Sequence, residues 1–211
     1  MEKANDRLIE GSIPKDCLGT IIGNGADGCV SVLVGDNTKV VKRFYDDFRF
    51  NDELYILRKI GHIKGIVRAY EYDRFHMTIK YDRLKTTLSD FMLLRPTQFA
   101  LKLDNILEQI YTILEKVISS HVVPMDLHLG NIMIDMETGE ITLIDIARWV
   151  DISDGIRFYN VDSGIKFLYS LMSNGNISYQ TYINWCGKYD NIILPKIREE
   201  EREFYYESIK A

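Results

Sequence analysis

The chain has 211 residues, 46% of them hydrophobic and 27% charged, with 14 Gly and 4 Pro, which excludes disordered, collagen-like and low-complexity classes and leaves enough apolar residues for a real core. A formal net charge of -5 argues against nucleic acid, whose phosphates call for a clustered basic face. Cys17, Cys29 and Cys186 lie far apart with no C-x-x-C pair, so free thiols in a reducing compartment are expected in place of a disulfide framework or zinc site.

The start, Met1 to Leu8, is polar, and no run approaches the roughly 18 apolar residues of a membrane span. A soluble chain with no membrane partner is expected, and a secretion route that reads no hydrophobic signal is compatible with this. From Leu18 to about Tyr81 short strands predominate: Gly19 to Ile22, Cys29 to Val34, and Lys39 to Phe44, with turn residues at Gly35 to Thr38. A helix over Asn51 to Ile60 interrupts them, with Asn51 as its capping residue and Gly61 as its stop. From about Thr97, Leu103, Ile106, Leu107, Ile110, Ile113, Leu114, Val117 and Ile118 recur at three-to-four spacing and predict a long buried helix. Ile132 to Ile134 and Ile141 to Ile144 flank a bend at Gly139, a hairpin signature. Ile165, Leu168, Tyr169 and Met172 outline a helix ending at Asn174-Gly175, and Ile197 to Lys210 reads as a charged helix. A β-rich N-terminal lobe, about residues 18–81, followed by a mostly helical lobe over 82–211 is the expected organisation of one domain spanning 1–211.

Four constellations point to chemistry. Gly23-Asn-Gly-Ala-Asp-Gly28 is a G-x-G-x-x-G followed by alternating Val30 to Val34, so the loop belongs to a strand-turn-strand and not to the strand-to-helix turn of a dinucleotide fold. Lys42 sits on the next strand and Glu53 on the following helix; a lysine under a glycine loop can neutralise phosphate oxygens while a carboxylate holds it in place. Asp126 and Asn131, in Asp126-Leu-His-Leu-Gly-Asn131, and then Asp145 are each bracketed by apolar residues, a costly arrangement unless they face a cation or a reacting group. Phosphoryl transfer needs a carboxylate that orients a hydroxyl and oxygen ligands that hold Mg²⁺ on the phosphates. Asp126 suits the first role, and Asn131 and Asp145 the second.

In this order, G-x-G-x-x-G-x-V (Gly23 to Val30), Lys42, Glu53, D-x-x-x-x-N (Asp126 to Asn131) and Asp145 resemble the protein-kinase signature set over about Leu18 to Asn176. The resemblance implies an α+β, bilobal kinase-like fold with a β-rich N-lobe carrying one main helix and a reduced, mostly helical C-lobe. It implies ATP and Mg²⁺ as cofactors: phosphates under Gly23, Asn24, Gly25 and Gly28, adenine between Val30 and Val40, the hinge Lys80, Tyr81 and Asp82, and the floor at Met133, and metal on Asn131 and Asp145. Asp126 would be catalytic, with Lys42 positioned by Glu53, and Asp162 to Tyr169 would resemble a buried helix behind the site. The usual H-R-D is Pro124-Met125-Asp126 and the usual D-F-G is Asp145-Ile146-Ala147, so activation by loop phosphorylation is not expected and a locked, active-like geometry is.

His128 stands where the family has its catalytic-loop lysine and would balance γ-phosphate charge; it also makes the motif similar to the D-L-H-P-G-N of aminoglycoside phosphotransferases. Only 66 residues follow Asp145, which resembles the minimal bacterial type III effector kinases, the HopBF family first and OspG-like effectors second. The resemblance implies a monomeric serine/threonine kinase acting on a protein substrate, with the host's ninety-kilodalton heat-shock chaperone as candidate acceptor. The alternatives are an aminoglycoside-type small-molecule phosphotransferase and a pseudokinase binding module.

Overall fold

The computed structural model describes residues 8–153 and 165–196. Alternating valines between Gly28 and Phe44 fold as strands β3 (Gly28–Leu33) and β4 (Asp36–Phe44), joined through Gly35, whose φ of 85° favours glycine. With β1 (Ile9–Glu10), β2 (Leu18–Asn24), β5 (Ala69–Asp73) and β6 (Thr78–Asp82) they form a six-stranded sheet in the order β1-β5-β6-β4-β3-β2. β1 runs parallel to β5, and the other pairs are antiparallel.

Helix α1 (Asp47–Ile60) packs beneath this sheet through Phe50, Leu54, Leu57 and Ile60. It begins one turn before the expected Asn51. Asp46 leaves β4 in an extended conformation and its carboxylate accepts the Arg49 N–H at 2.8 Å, so Asp46 is the cap. Asn51 is instead an internal residue whose amide donates to the Asp47 carbonyl at 2.8 Å. Gly61 ends the helix, as expected, its N–H returning to the Leu57 carbonyl at 2.7 Å.

After β6 the chain becomes helical. α2 (Leu88–Leu94), which periodicity did not indicate, is opened by Thr87, whose hydroxyl accepts the Asp90 N–H at 3.0 Å. α3 (Pro96–Ser119) buries the whole predicted stripe from Leu103 to Ile118 and adds Phe99, which meets Phe91 of α2 edge-on. Two short ribbons follow: β7 (Val122–Val123) with β10 (Val150–Asp151), and β8 (Ile132–Ile134) with β9 (Ile141–Leu143), the latter closing through Gly139 at φ 75°. α4 (Lys166–Ser173) buries Phe167, Leu168 and Leu171, whereas the expected core residue Tyr169 is 60% exposed on the opposite face. α5 (Tyr179–Ile193), also unexpected, buries only Tyr189 and Ile193.

The chain is therefore α+β, a β-rich N-terminal sheet followed by helices, with one continuous apolar core. The expected helix at 197–210 and the segment 154–164 lie outside the described residues. Cys17, Cys29 and Cys186 form no disulfide with one another. No described helix is long and apolar enough to cross a membrane.

Candidate active site

Between the sheet and the helical half lies a cleft of about 610 Å³. The glycine loop forms one wall. Gly28 must be glycine, because a Cβ there would lie 2.3 Å from the Arg43 carbonyl of the neighbouring strand. Lys42, one pleat inward on β4, is only 8% exposed, and its ammonium is shared by two carboxylates: Glu53 Oε2 at 2.6 Å and Asp145 Oδ1 at 2.6 Å. Glu53 is 1% exposed and also accepts the Tyr81 hydroxyl.

Burial alone would neutralise such a cluster. Burial opposes the charge on Lys42, but Glu53 and Asp145 outweigh it and hold the ammonium above its ordinary pKa. The Glu53 carboxyl is pushed up by burial, with Lys42 pulling against it. Burial and the Glu53 charge push the Tyr81 phenol well above its ordinary value, so it remains a neutral donor. The result is a charged, oriented lysine in the cleft wall, with α1 as its support.

Asp126 and Asp145 are two of the four described non-glycine residues with positive φ, at 62° and 57°. That backbone region costs about 1 kcal/mol or more for such residues, and it re-aims their side chains. The Asn131 amide donates to the Asp126 carbonyl at 3.1 Å and stiffens the loop between them. The Asp126 carboxylate accepts the Lys166 ammonium at 2.7 Å, and this hydrogen bond holds its pKa below the usual carboxylate range against partial burial. Asp145 is 41% exposed at the cleft and Asn131 also lines it. Among the described residues no cluster of three or more His, Cys, Asp or Glu could hold a metal on its own. Two oxygen donors beside an excess carboxylate do suit a hard cation that takes its other ligands from water and phosphate.

Gly23, Asn24, Gly25, Gly28, Val30, Val40, Lys42, Glu53, Tyr81, Asp82, Asn131, Met133 and Asp145 all border the cleft. Three predicted residues do not. Asp126 lies instead along the adjoining groove with Met125, Arg148 and Lys166. Lys80 lies on the outer face of β6, where strand alternation places it opposite Tyr81, and its ammonium is 3.4 Å from Glu71. The turn leading out of the strand, Asp82 to Lys85, takes the place along the cleft rim that was assigned to Lys80. His128 is turned back onto its own loop: Nδ1 accepts the Gly130 N–H at 3.1 Å, and a Cβ at Gly130 would press on the imidazole. It therefore caps the short helix Leu129–Asn131 instead of facing the cleft.

Sequence reasoning missed a third set. Arg148 makes two hydrogen bonds to Asp27 of the glycine loop, at 2.9 and 2.8 Å, with Arg49 3.6 Å from the same carboxylate. Asp27, a charged residue inside the glycine motif, was the available signal. Tyr81 was legible from alternation with Ile79, whereas Lys166, 40 residues from Asp126, had none. No family model matches the chain, and no curated protein matches it in sequence.

Proposed function

We propose that this protein is an ATP- and Mg²⁺-dependent protein serine/threonine kinase with a reduced bilobal kinase-like fold, acting as a monomer. The observation that carries the reading is Lys42, held charged between Glu53 and Asp145 in a cleft roofed by a glycine loop. Oriented cations and oxygen donors are what phosphoryl transfer asks of a protein, since positioning and charge stabilisation supply most of its catalysis. Val30, Val40, Val67, Met133 and Ile144 give the cleft an apolar section suited to a flat base. Lys42 neutralises phosphate oxygens, Glu53 and Tyr81 keep it in place, and Asp126 orients the acceptor hydroxyl. Asn131 and Asp145 would hold Mg²⁺, which would supply neutralising charge for the phosphates.

A protein acceptor is favoured over an aminoglycoside. The groove beside Asp126 carries Asp52, Asp126 and Asp151 against Arg49, Arg148 and Lys166 among its described residues, without the acidic excess that a polycationic sugar needs. The motif pattern similar to HopBF-type effectors extends the proposal to a secreted bacterial protein acting on a host protein, with the ninety-kilodalton heat-shock chaperone as candidate.

The test is transfer from radiolabelled ATP with Mg²⁺ by the wild type and Asp145→Asn, offered generic protein acceptors, a eukaryotic cytosolic extract and, in parallel, aminoglycosides. A labelled protein band that vanishes in the variant, with circular dichroism unchanged, is expected. Undiminished labelling by the variant overturns the reading, and label on the sugar replaces the acceptor class.

A further inference from the structure

Lys166 occupies the first position of α4, and its ammonium lies 2.7 Å from Asp126 Oδ1. On stability grounds this placement is unfavourable. A cation at a helix N-terminus opposes the helix dipole, and an ion pair as open as this one, with the lysine side chain 52% exposed, stabilises little. The support around the pair is nonetheless rigid. Phe167 and Leu168 anchor α4 in the core, and the Phe167 N–H donates to the Leu127 carbonyl at 3.1 Å, tying the helix start to the residue after Asp126. Asp126 itself is held at positive φ with its carbonyl fixed by Asn131. Lys166 and Asp126 border the groove of about 600 Å³ that also contains Arg148, Met125 and Trp149. Neither of the pair lines the cleft with Lys42.

We infer that Lys166 is a positioning residue for Asp126, holding one carboxylate oxygen from the acceptor side so that the other receives the hydroxyl of the incoming serine or threonine. The inference rests on the kinase reading proposed above. A carboxylate on a short loop has several rotamers, and an ammonium fixed on a buried helix selects one of them. The backbone strain at Asp126 and the adverse position of Lys166 then share one explanation: both set the direction of the carboxylate.

Steady-state transfer from ATP to dephosphorylated casein is measured for the wild type, Lys166→Met, Lys166→Arg and Asp145→Asn, together with their melting temperatures. Loss of an orienting contact to the residue that handles the proton lowers kcat of Lys166→Met about 30- to 100-fold. The KM for ATP stays within about twofold, because the nucleotide cleft is untouched, and the melting temperature moves by no more than about 2 °C. Lys166→Arg, which keeps the charge and the reach, recovers most of the lost kcat. A Lys166→Met variant with wild-type kcat beside an inactive Asp145→Asn overturns the inference alone. A loss of kcat matched by a rise in KM for ATP and a large fall in melting temperature also overturns it, since that pattern belongs to a structural residue. No transfer by the wild type, or full transfer by Asp145→Asn, overturns the kinase reading itself.

Discussion

Lys42, Glu53 and Tyr81 form a unit in which no member is stable alone. Glu53 is 1% exposed, and Lys42, 2.6 Å away, supplies the opposite charge that offsets the cost of burying its carboxylate. Removing one partner of such a pair costs about 3 kcal/mol or more because the other charge is stranded, whereas removing both is mild. Lys42→Met is therefore expected to be markedly destabilised in chemical denaturation. Adding Glu53→Gln should recover most of that loss, because a neutral amide still accepts the Tyr81 hydroxyl. Phosphotransfer should remain absent in both. Equal stabilities of the single and double variants would show that the charges are not coupled. At this scale the sequence was informative where chemistry is unusual: a lysine, an asparagine and two aspartates in apolar surroundings stood out. It misled where a side chain could point two ways. Period-two alternation in Thr78-Ile-Lys-Tyr-Asp already put Lys80 and Tyr81 on opposite faces, but whether His128 faced the cleft or its own backbone depended on the turn at Gly130.

At the scale of elements, α1 connects fold and site, since it carries Glu53 on the face that buries Phe50, Leu54 and Leu57. Its register is set at the N-terminus by Asp46, and its outer side is held by Asp151 of β10, which accepts from Lys59 at 2.5 Å and from the Tyr55 hydroxyl. Asp46→Ala should lower stability by about 1 kcal/mol, about 2–4 °C in a thermal melt, as the Arg49 N–H loses its partner. A change below 1 °C would assign the start of the helix to packing instead. Long α3 was legible in full because 24 residues give the 3.6-residue period many repeats. α2, with 7 residues, is too short for a period, and α5 shows a core only two side chains, so its periodic signal is faint.

On the scale of the molecule, two carboxylates tie the sheet half to the segment after Asp145. Asp27 of the glycine loop is bonded to Arg148, with Arg49 and Lys42 adding their charge, and Asp151 of that segment is bonded to Tyr55, Lys59 and Ser153 around α1. These contacts join residues 121 and 96 positions apart in the chain, a pairing that no local pattern encodes. The Arg148 hydrogen bond holds the Asp27 carboxyl below its ordinary value against burial. Burial pushes the Asp151 carboxyl up, yet hydrogen bonds from Lys59, Ser153 and Tyr55 bring it well below the usual carboxylate range. A group whose folded pKa is depressed contributes stability that is fully present above the unfolded value, about 3.9, and is lost as pH falls through the folded one. The two ties should therefore be intact at pH 6 and weaken progressively below about pH 4. Asp27→Asn, which removes one charge-assisted pair worth about 2 kcal/mol, is expected to melt about 4–8 °C below the wild type at pH 6. The gap should narrow as the pH is lowered toward 3, where the wild type loses the same interaction. A constant gap across that range would mean that the Asp27 side chain stabilises the closed loop by shape and hydrogen bonding, and that its charge contributes nothing to holding the two halves together.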